Sequence, residues 1–392
     1  MIRSILDIDL YKLTMQHAVL EKFPNAYVTY EFKSRKSTPV NDAFLSLFIK
    51  KLTQMDSLKC NDDEIEYVRS LNLFSPAYIE YLRNFRFNSK NVDITVKSLD
   101  LKDISIKPKG LWRDEILWEV PILALISECY YETVDTNWNM DGQKEKTYNK
   151  GQKLNDNDCS FSEFGTRRRR SFEVQNLVVN ELKNFSSFNG TSNVLLAKNY
   201  GVPAIGTVAH EWTMGISGLV SLNRANKFAL QYWNDVYKGK LSVALPDTFG
   251  TDAFLRDFDL NFAKIYDPRQ DSGCPFKFTD KFVKHYTSLG INTMHKKITF
   301  SDGLDVDRPI EIKKYCVSNK INSGFGIGTY LTNDFENSPA LNIVMKLKNI
   351  AENEFETPTE VVKLSDVSTK ATGDKDAVRI AKNIFLGTPL DS

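Results

Sequence analysis

The sequence predicts an α/β fold: a β/α barrel-like sheet beside a second lobe built from both chain termini. Three observations predict it. From about Asp158 to Asn333 one unit recurs: a short apolar segment, a polar glycine-containing turn, then an amphipathic segment. Strand, turn and helix in series imply parallel strands with right-handed crossovers. Seven such turns fit a barrel with its polar motifs on the C-terminal rim, where barrel active sites form. The flanks lack this unit and carry alternating runs instead, Tyr27–Phe32 near one end and Leu341–Leu347 near the other. Finally, 392 residues exceed one simple domain, and 42% hydrophobic with 26% charged residues is ordinary for a globular chain. The expected organisation is an N-terminal α/β lobe over 1–134, a barrel over 135–334, and a segment over 335–392 that completes the first lobe.

Taken in order, Tyr27-Val28-Thr29-Tyr30-Glu31-Phe32 alternates like a half-buried strand. The stretches Phe44–Leu52 and Asp63–Leu71 have helical spacing, and the polar tract Asp135–Asp158 reads as a surface connection. Val174, Leu177, Val178, Leu182 and Phe185 share one helical face. Thr191 or Ser192 can cap the next helix and Gly201 can end it. Gly201–Gly206 reads as a buried strand, as do Leu241–Leu245 and Lys297–Phe300. Ala253, Phe254, Phe258 and Phe262 suit one helix face.

The net charge of +1 gives no global attraction to nucleic acid or to a membrane surface. Cys60, Cys129, Cys159, Cys274 and Cys316 are odd in number and show no metal-ligand spacing. That suits a reducing, cytoplasmic environment, from which the sequence does not separate the nucleus. The start of the chain reaches Asp7 too early for a secretory signal. The most apolar stretch, Val120–Tyr131, is short and contains Glu128.

The rim motifs carry the chemistry. His210, in Thr207-Val208-Ala209-His210-Glu211-Trp212, follows the third apolar segment. Such a histidine either bonds its neighbours or, with a carboxylate to set its tautomer, attacks a phosphoryl group; Asp247 is the candidate carboxylate, and Glu211 can point away. Asp247, Asp271 and Asp302 each sit at a strand-end turn, as helix caps or as ligands for ribose hydroxyls and hydrated metal. Gly324-Phe325-Gly326-Ile327-Gly328-Thr329 is either a tight turn or a phosphate cradle. The run Arg167–Arg170 opens a helix; Arg167 suits the rim, while at least two of the four suit solvent.

Six strings in order resemble nicotinate phosphoribosyltransferases of the fungal and bacterial type. They are Asp9–Met15, Phe161–Arg169, Gly206–Trp212, Asp247–Leu255, Arg269–Gly273 and Ser323–Thr329. The resemblance implies a type II phosphoribosyltransferase fold, an irregular β/α barrel beside an α/β lobe made from both termini, and a homodimer with active sites at the subunit interface. It implies that nicotinate and phosphoribosyl diphosphate give nicotinate mononucleotide and diphosphate, with ATP hydrolysis coupled through phosphorylated His210. Phe164 and a cross-subunit Tyr11 would sandwich the pyridine ring. Arg167 or Arg269 would face its carboxylate or the phosphates, beside Thr207. Gly303, Gly326, Gly328 and Thr329 would hold the ribose 5-phosphate, and Arg35, Lys346 and Lys363 would reach phosphates. No protein-held metal is implied; Mg2+ would come with the substrate, touching Asp271 and Asp302 through water. Cys274 departs from the acid that the family usually carries there. The alternatives are a nicotinamide-specific enzyme on the same fold and a non-catalytic barrel that binds nucleic acid.

Overall fold

The computed structural model describes residues 2–388. The N-terminal part supplies β1 (Tyr27–Ser34), β2 (Val92–Val96) and β3 (Ile104–Leu111). The middle supplies β4 (Phe161–Glu163), β5 (Phe188–Thr191), β6 (Val243–Ala244), β7 (Asp267–Gln270), β8 (Lys297–Phe300) and β9 (Asn322–Ile327). β10 (Ile343–Ala351) and β11 (Thr359–Glu360) follow.

These strands form two sheets. One has the order β11-β10-β1-β3-β2 and is antiparallel throughout. Its central strands alternate as the sequence suggests: in β1 the residues Val28, Tyr30 and Phe32 are buried between partly open neighbours. Both ends of the chain meet here, because β1 pairs with β10 and sets Glu31 opposite Lys346.

The other sheet has six parallel strands in the order β5-β4-β9-β8-β7-β6. The bridge Thr191–Ala204 carries it one step beyond β5. Among the described residues, no β pairing joins that segment to β6, which is why the barrel is irregular.

Several elements differ from expectation. Gly201–Gly206 is no strand: Gly201 turns left-handed (φ 62°) after the helix Val194–Tyr200, and Pro203 has no N–H to donate. That helix is capped by Asn193, which accepts from the Leu196 N–H, rather than by Thr191 or Ser192. The strand expected at Leu241–Leu245 shrinks to the pair of β6. The single helix face expected through Phe258 is broken into Thr251–Asp257 and Leu260–Ile265, because Asp259 caps the second helix through the N–H groups of Asn261 and Phe262. The polar tract holds a helix, Gln143–Asp156. It docks through Gly151, where an added Cβ would lie 2.4 Å from the Phe185 ring.

One apolar cluster spans both sheets. A second, small one joins Val362, Leu364, Ala381 and Phe385 to Ala225, Phe249 and Ala253, with the Phe249 and Phe385 rings stacked at 4.3 Å. Residues 361–386 therefore lie on the barrel rim, ending in the helix Lys375–Leu386. No described helix is long and apolar enough to cross a membrane.

Candidate active site

The loops after β4, β7, β8 and β9 border a cavity of about 510 Å3. Phe164 follows β4 and lays its ring on β9: a Cβ at Gly326 would sit 2.3 Å from it. Gly324 and Gly326 are thus strand residues that admit close neighbours, Lys297 at Gly324 and Phe164 at Gly326, while Gly328 lies just past β9 against the Phe164 carbonyl. Gly303 does turn left-handed (φ 60°) and lines the cavity with Gly326, Gly328 and Thr329.

Phe164 shares a side recess with Tyr11, Arg167, Thr207 and Arg269. Tyr11 reaches it from the same chain, whereas the resemblance implied a contribution across a subunit interface. Its hydroxyl is buried without a hydrogen-bond partner. Arg269 is fixed by three bonds: Nε donates to Ser301 Oγ at 2.7 Å, Nη1 to Thr207 Oγ1 at 2.7 Å, and Nη2 to Asp271 Oδ1 at 3.0 Å. Arg167 has a looser partner, Glu119 at 3.5 Å, and remains 40% exposed.

The arginine run is not a solvated strip and does not open a helix. Thr166–Arg168 form one 3-10 turn, and the helix begins at Phe172. Arg169 is fully buried, paired with Asp7 at 2.6 and 2.9 Å and with Glu128 at 2.8 Å. Arg170 is also fully buried, 3.5 Å above the Tyr131 ring and bonded to Ser338.

His210 is the first residue of the helix His210–Leu219, behind the cavity wall. Its Nδ1 meets Thr248 Oγ1 at 3.1 Å. Its Nε2 meets Lys363 Nζ at 2.7 Å, Asp271 Oδ2 at 3.0 Å and Asp247 Oδ1 at 3.5 Å. Asp247, the expected carboxylate, thus lies on the Nε2 side, and Thr248 meets Nδ1. Burial, then the Lys363 charge, hold His210 below its usual pKa against the pull of Asp247 and Asp271. Nε2 thus faces one donor, Lys363, and two acceptors, Asp271 and Asp247; with Lys363 donating to it, the neutral ring carries its proton on Nδ1, toward Thr248.

Asp271 is held well below the usual carboxylate range by Arg269 and His210, which outweigh its burial. Asp247 accepts from Ser272 Oγ at 2.6 Å, and Asp302 faces Lys370 with both oxygens, at 2.8 and 2.9 Å. None of the three caps a helix. His210, Asp247 and Asp271 could together ligate a metal, but the Lys363 ammonium stands among them, 3.3 Å from Asp247 Oδ2. Asp271 and Asp302 line the cavity, where a hydrated cation would meet them beside Arg269 and Lys370.

The opposite wall is basic. Arg35, Arg168 and Lys346 line the cavity, and among the described residues none has a carboxylate within ion-pair distance. Burial, then Lys363 and Arg167, push the Lys346 ammonium down to about 8. Burial and the neighbouring Arg167 and Arg35 lower Arg168 to about 10. Cys274 is exposed at the start of the helix Pro275–Ser288 and does not line the cavity. Glu211 points away from His210 and meets Lys12 at 2.5 Å, Trp112 Nε1 at 2.9 Å and the Tyr30 hydroxyl.

Sequence reasoning missed Thr248, Ser272, Lys370 and Ser365, whose Oγ meets Ser272 Oγ at 3.0 Å. Thr248 and Ser272 lie inside strings already quoted, beside Asp247 and Asp271. Ser365 and Lys370 follow Lys363 in a stretch with no periodicity to flag it.

Two family models match the chain: the nicotinate phosphoribosyltransferase (NAPRTase) family over residues 159–388, and the N-terminal domain of the same family over 6–127. The chain belongs to the nicotinate phosphoribosyltransferase family. It is 44% identical to the nicotinate phosphoribosyltransferase of Methanosarcina acetivorans, over 100% of both chains. It is 37% identical to that of Saccharomyces cerevisiae, over 97% of this chain and 94% of the yeast protein. Among solved structures, the nicotinate phosphoribosyltransferase of Porphyromonas gingivalis superposes with a TM-score of 0.95 at 38% identity, covering 99% of this chain and 100% of that one. The type II barrel and its companion sheet are therefore those of the family, and its likeness extends to archaeal members.

Proposed function

We propose that this enzyme, a nicotinate phosphoribosyltransferase of NAD salvage, forms nicotinate mononucleotide and diphosphate and couples the transfer to ATP hydrolysis through phosphorylated His210. The observation that carries the coupling is the environment of His210. Its ring is neutral, Nδ1 is tied to Thr248, and Nε2 presents its lone pair toward Lys363 at the cavity wall. In the phosphorylation step, Nε2 forms a P–N bond as the bond from the γ-phosphorus to the ADP oxygen breaks. The ring then carries positive charge, which Asp271 and Asp247 offset.

In the transfer step positive charge develops on the ribose and diphosphate leaves. Lys346, Lys363, Arg35 and Arg168 supply the charge that receives it. The pyridine lies on Phe164 in the recess with Tyr11, and Arg167 or Arg269 faces its carboxylate. Mg2+ bound by the diphosphate would lean on Asp271 and Asp302 through water and neutralise the leaving group. A homodimer, and residence in the cytoplasm, are parts of the same reading.

The decisive experiment uses γ-labelled ATP. Acid-labile, base-stable label on the wild-type protein, absent from His210→Ala, is the expected result. Label that persists in His210→Ala, or an active wild type that never labels, would sink the coupling. A nicotinamide-specific enzyme is distinguished by turnover of the amide in place of the acid.

A further inference from the structure

Lys370 holds Asp302 at both oxygens, 2.8 and 2.9 Å away. Both side chains line the cavity, and they are 30% and 31% exposed. Lys370 belongs to a loop closed at its base by backbone bonds between Lys363 and Thr372, 2.9 Å in one direction and 2.8 Å in the other. The base lysine touches His210, while Lys370 reaches over to the loop after β8. An ammonium that bridges both carboxylate oxygens takes an acceptor site on each and neutralises the charge that ribose hydroxyls would meet. A diphosphate in the same cavity carries more charge than Asp302 and competes for that ammonium. No other cation stands on Asp302 among the described residues.

Resting on the proposed reaction, we propose that Lys370 and Asp302 exchange partners when the phosphoribosyl donor binds. Lys370 moves to the diphosphate, and Asp302 is freed for the ribose hydroxyls. No covalent bond changes. Lys370 is in this sense a substrate-gated positioning residue, which keeps Asp302 neutralised until an anion replaces it.

The two partners then have opposite effects on a ligand that lacks ribose. The probe is inorganic diphosphate without metal, titrated calorimetrically into the full-length protein. Lys370→Met should weaken its binding about tenfold, the scale of one lost charge contact. Asp302→Asn should tighten it, because Lys370 is released. The double variant should bind like Lys370→Met alone, since the gain requires the lysine. Lys370→Arg should retain most of the affinity, and unchanged melting temperatures establish that the variants are folded. Exchange is overturned if Asp302→Asn weakens diphosphate binding, as a purely structural pair would. It is equally overturned if the Asp302→Asn gain survives in the double variant, which would mark simple repulsion by Asp302. A wild type that neither binds diphosphate nor forms nicotinate mononucleotide would overturn the reaction itself. A wild type that does both, with variants that miss the pattern, would overturn only the exchange.

Discussion

On the proposed mechanism His210 reacts as an uncharged ring, and its setting fixes where that state ends. Its pKa lies below the ordinary 6.5, first because of burial and then because of Lys363. Labelling by ATP should therefore hold steady as pH falls to about 6.5 and decline only below it. The unfolded chain protonates this histidine first, so acid below about 6.5 also costs the fold stability through the same group. Lys346 acts at the other end of the scale. Above about 8 it loses its proton, so affinity for phosphoribosyl diphosphate should fall as pH rises past that point. Lys346→Arg should flatten that limb in a KM-against-pH profile. Phe164 offers a steric test. Gly326→Ala would place a methyl 2.3 Å from its ring, so KM for nicotinate should rise about tenfold while the fold survives. A normal KM would remove Phe164 from the pyridine site. The rim carboxylates, the histidine and the glycines were all visible as residues. Their partners were not: the spacing of Asp247 and His210 says nothing about which ring nitrogen faces which side chain.

At the scale of elements, the arginine turn is the part most tightly built. Arg169 ties Asp7, Glu128 and Gln175 together with no exposure. Arg169→Met strands Asp7 in the interior, so chemical denaturation should show a loss of about 3–5 kcal/mol. A loss under about 1 kcal/mol would mean that water replaces the arginine. Cys274 offers a contrast. It stands at an extended N-cap position with no side-chain bond to the helix Pro275–Ser288. Cys274→Asp should add about 1 kcal/mol of stability through a cap bond and leave turnover unchanged. Both features explain what the sequence hid. Four consecutive arginines look like surface charge until Asp7 and Glu128 arrive from far along the chain. A short helix such as Thr251–Asp257 cannot be separated by periodicity from its successor when only the Asp259 cap divides them.

For the whole molecule, the parallel series and the two-ended lobe were legible because each apolar run ends in a polar turn, and periodicity records burial. Closure of the barrel was not, since it depends on pairing between segments rather than on any one of them. The single-chain recess changes an expectation about assembly. Tyr11 sits with Phe164 and Arg167 of its own chain, so mixing Tyr11→Ala with His210→Ala subunits should restore no activity after subunit exchange. Recovery would place Tyr11 in the partner's site. The meeting of β1 with β10 has a further consequence, in time. β1 leaves the ribosome early, yet its neighbour β10 is made more than 300 residues later. Until then β1 has β3 on one side and an open edge on the other, a template for mispairing. Lys346, Lys363 and Lys370 also arrive in that last stretch. A growing chain is therefore unfinished as a sheet and still lacks the lysines that, on the proposed reaction, receive diphosphate, so the step that protects it from aggregation would also be the step that switches it on.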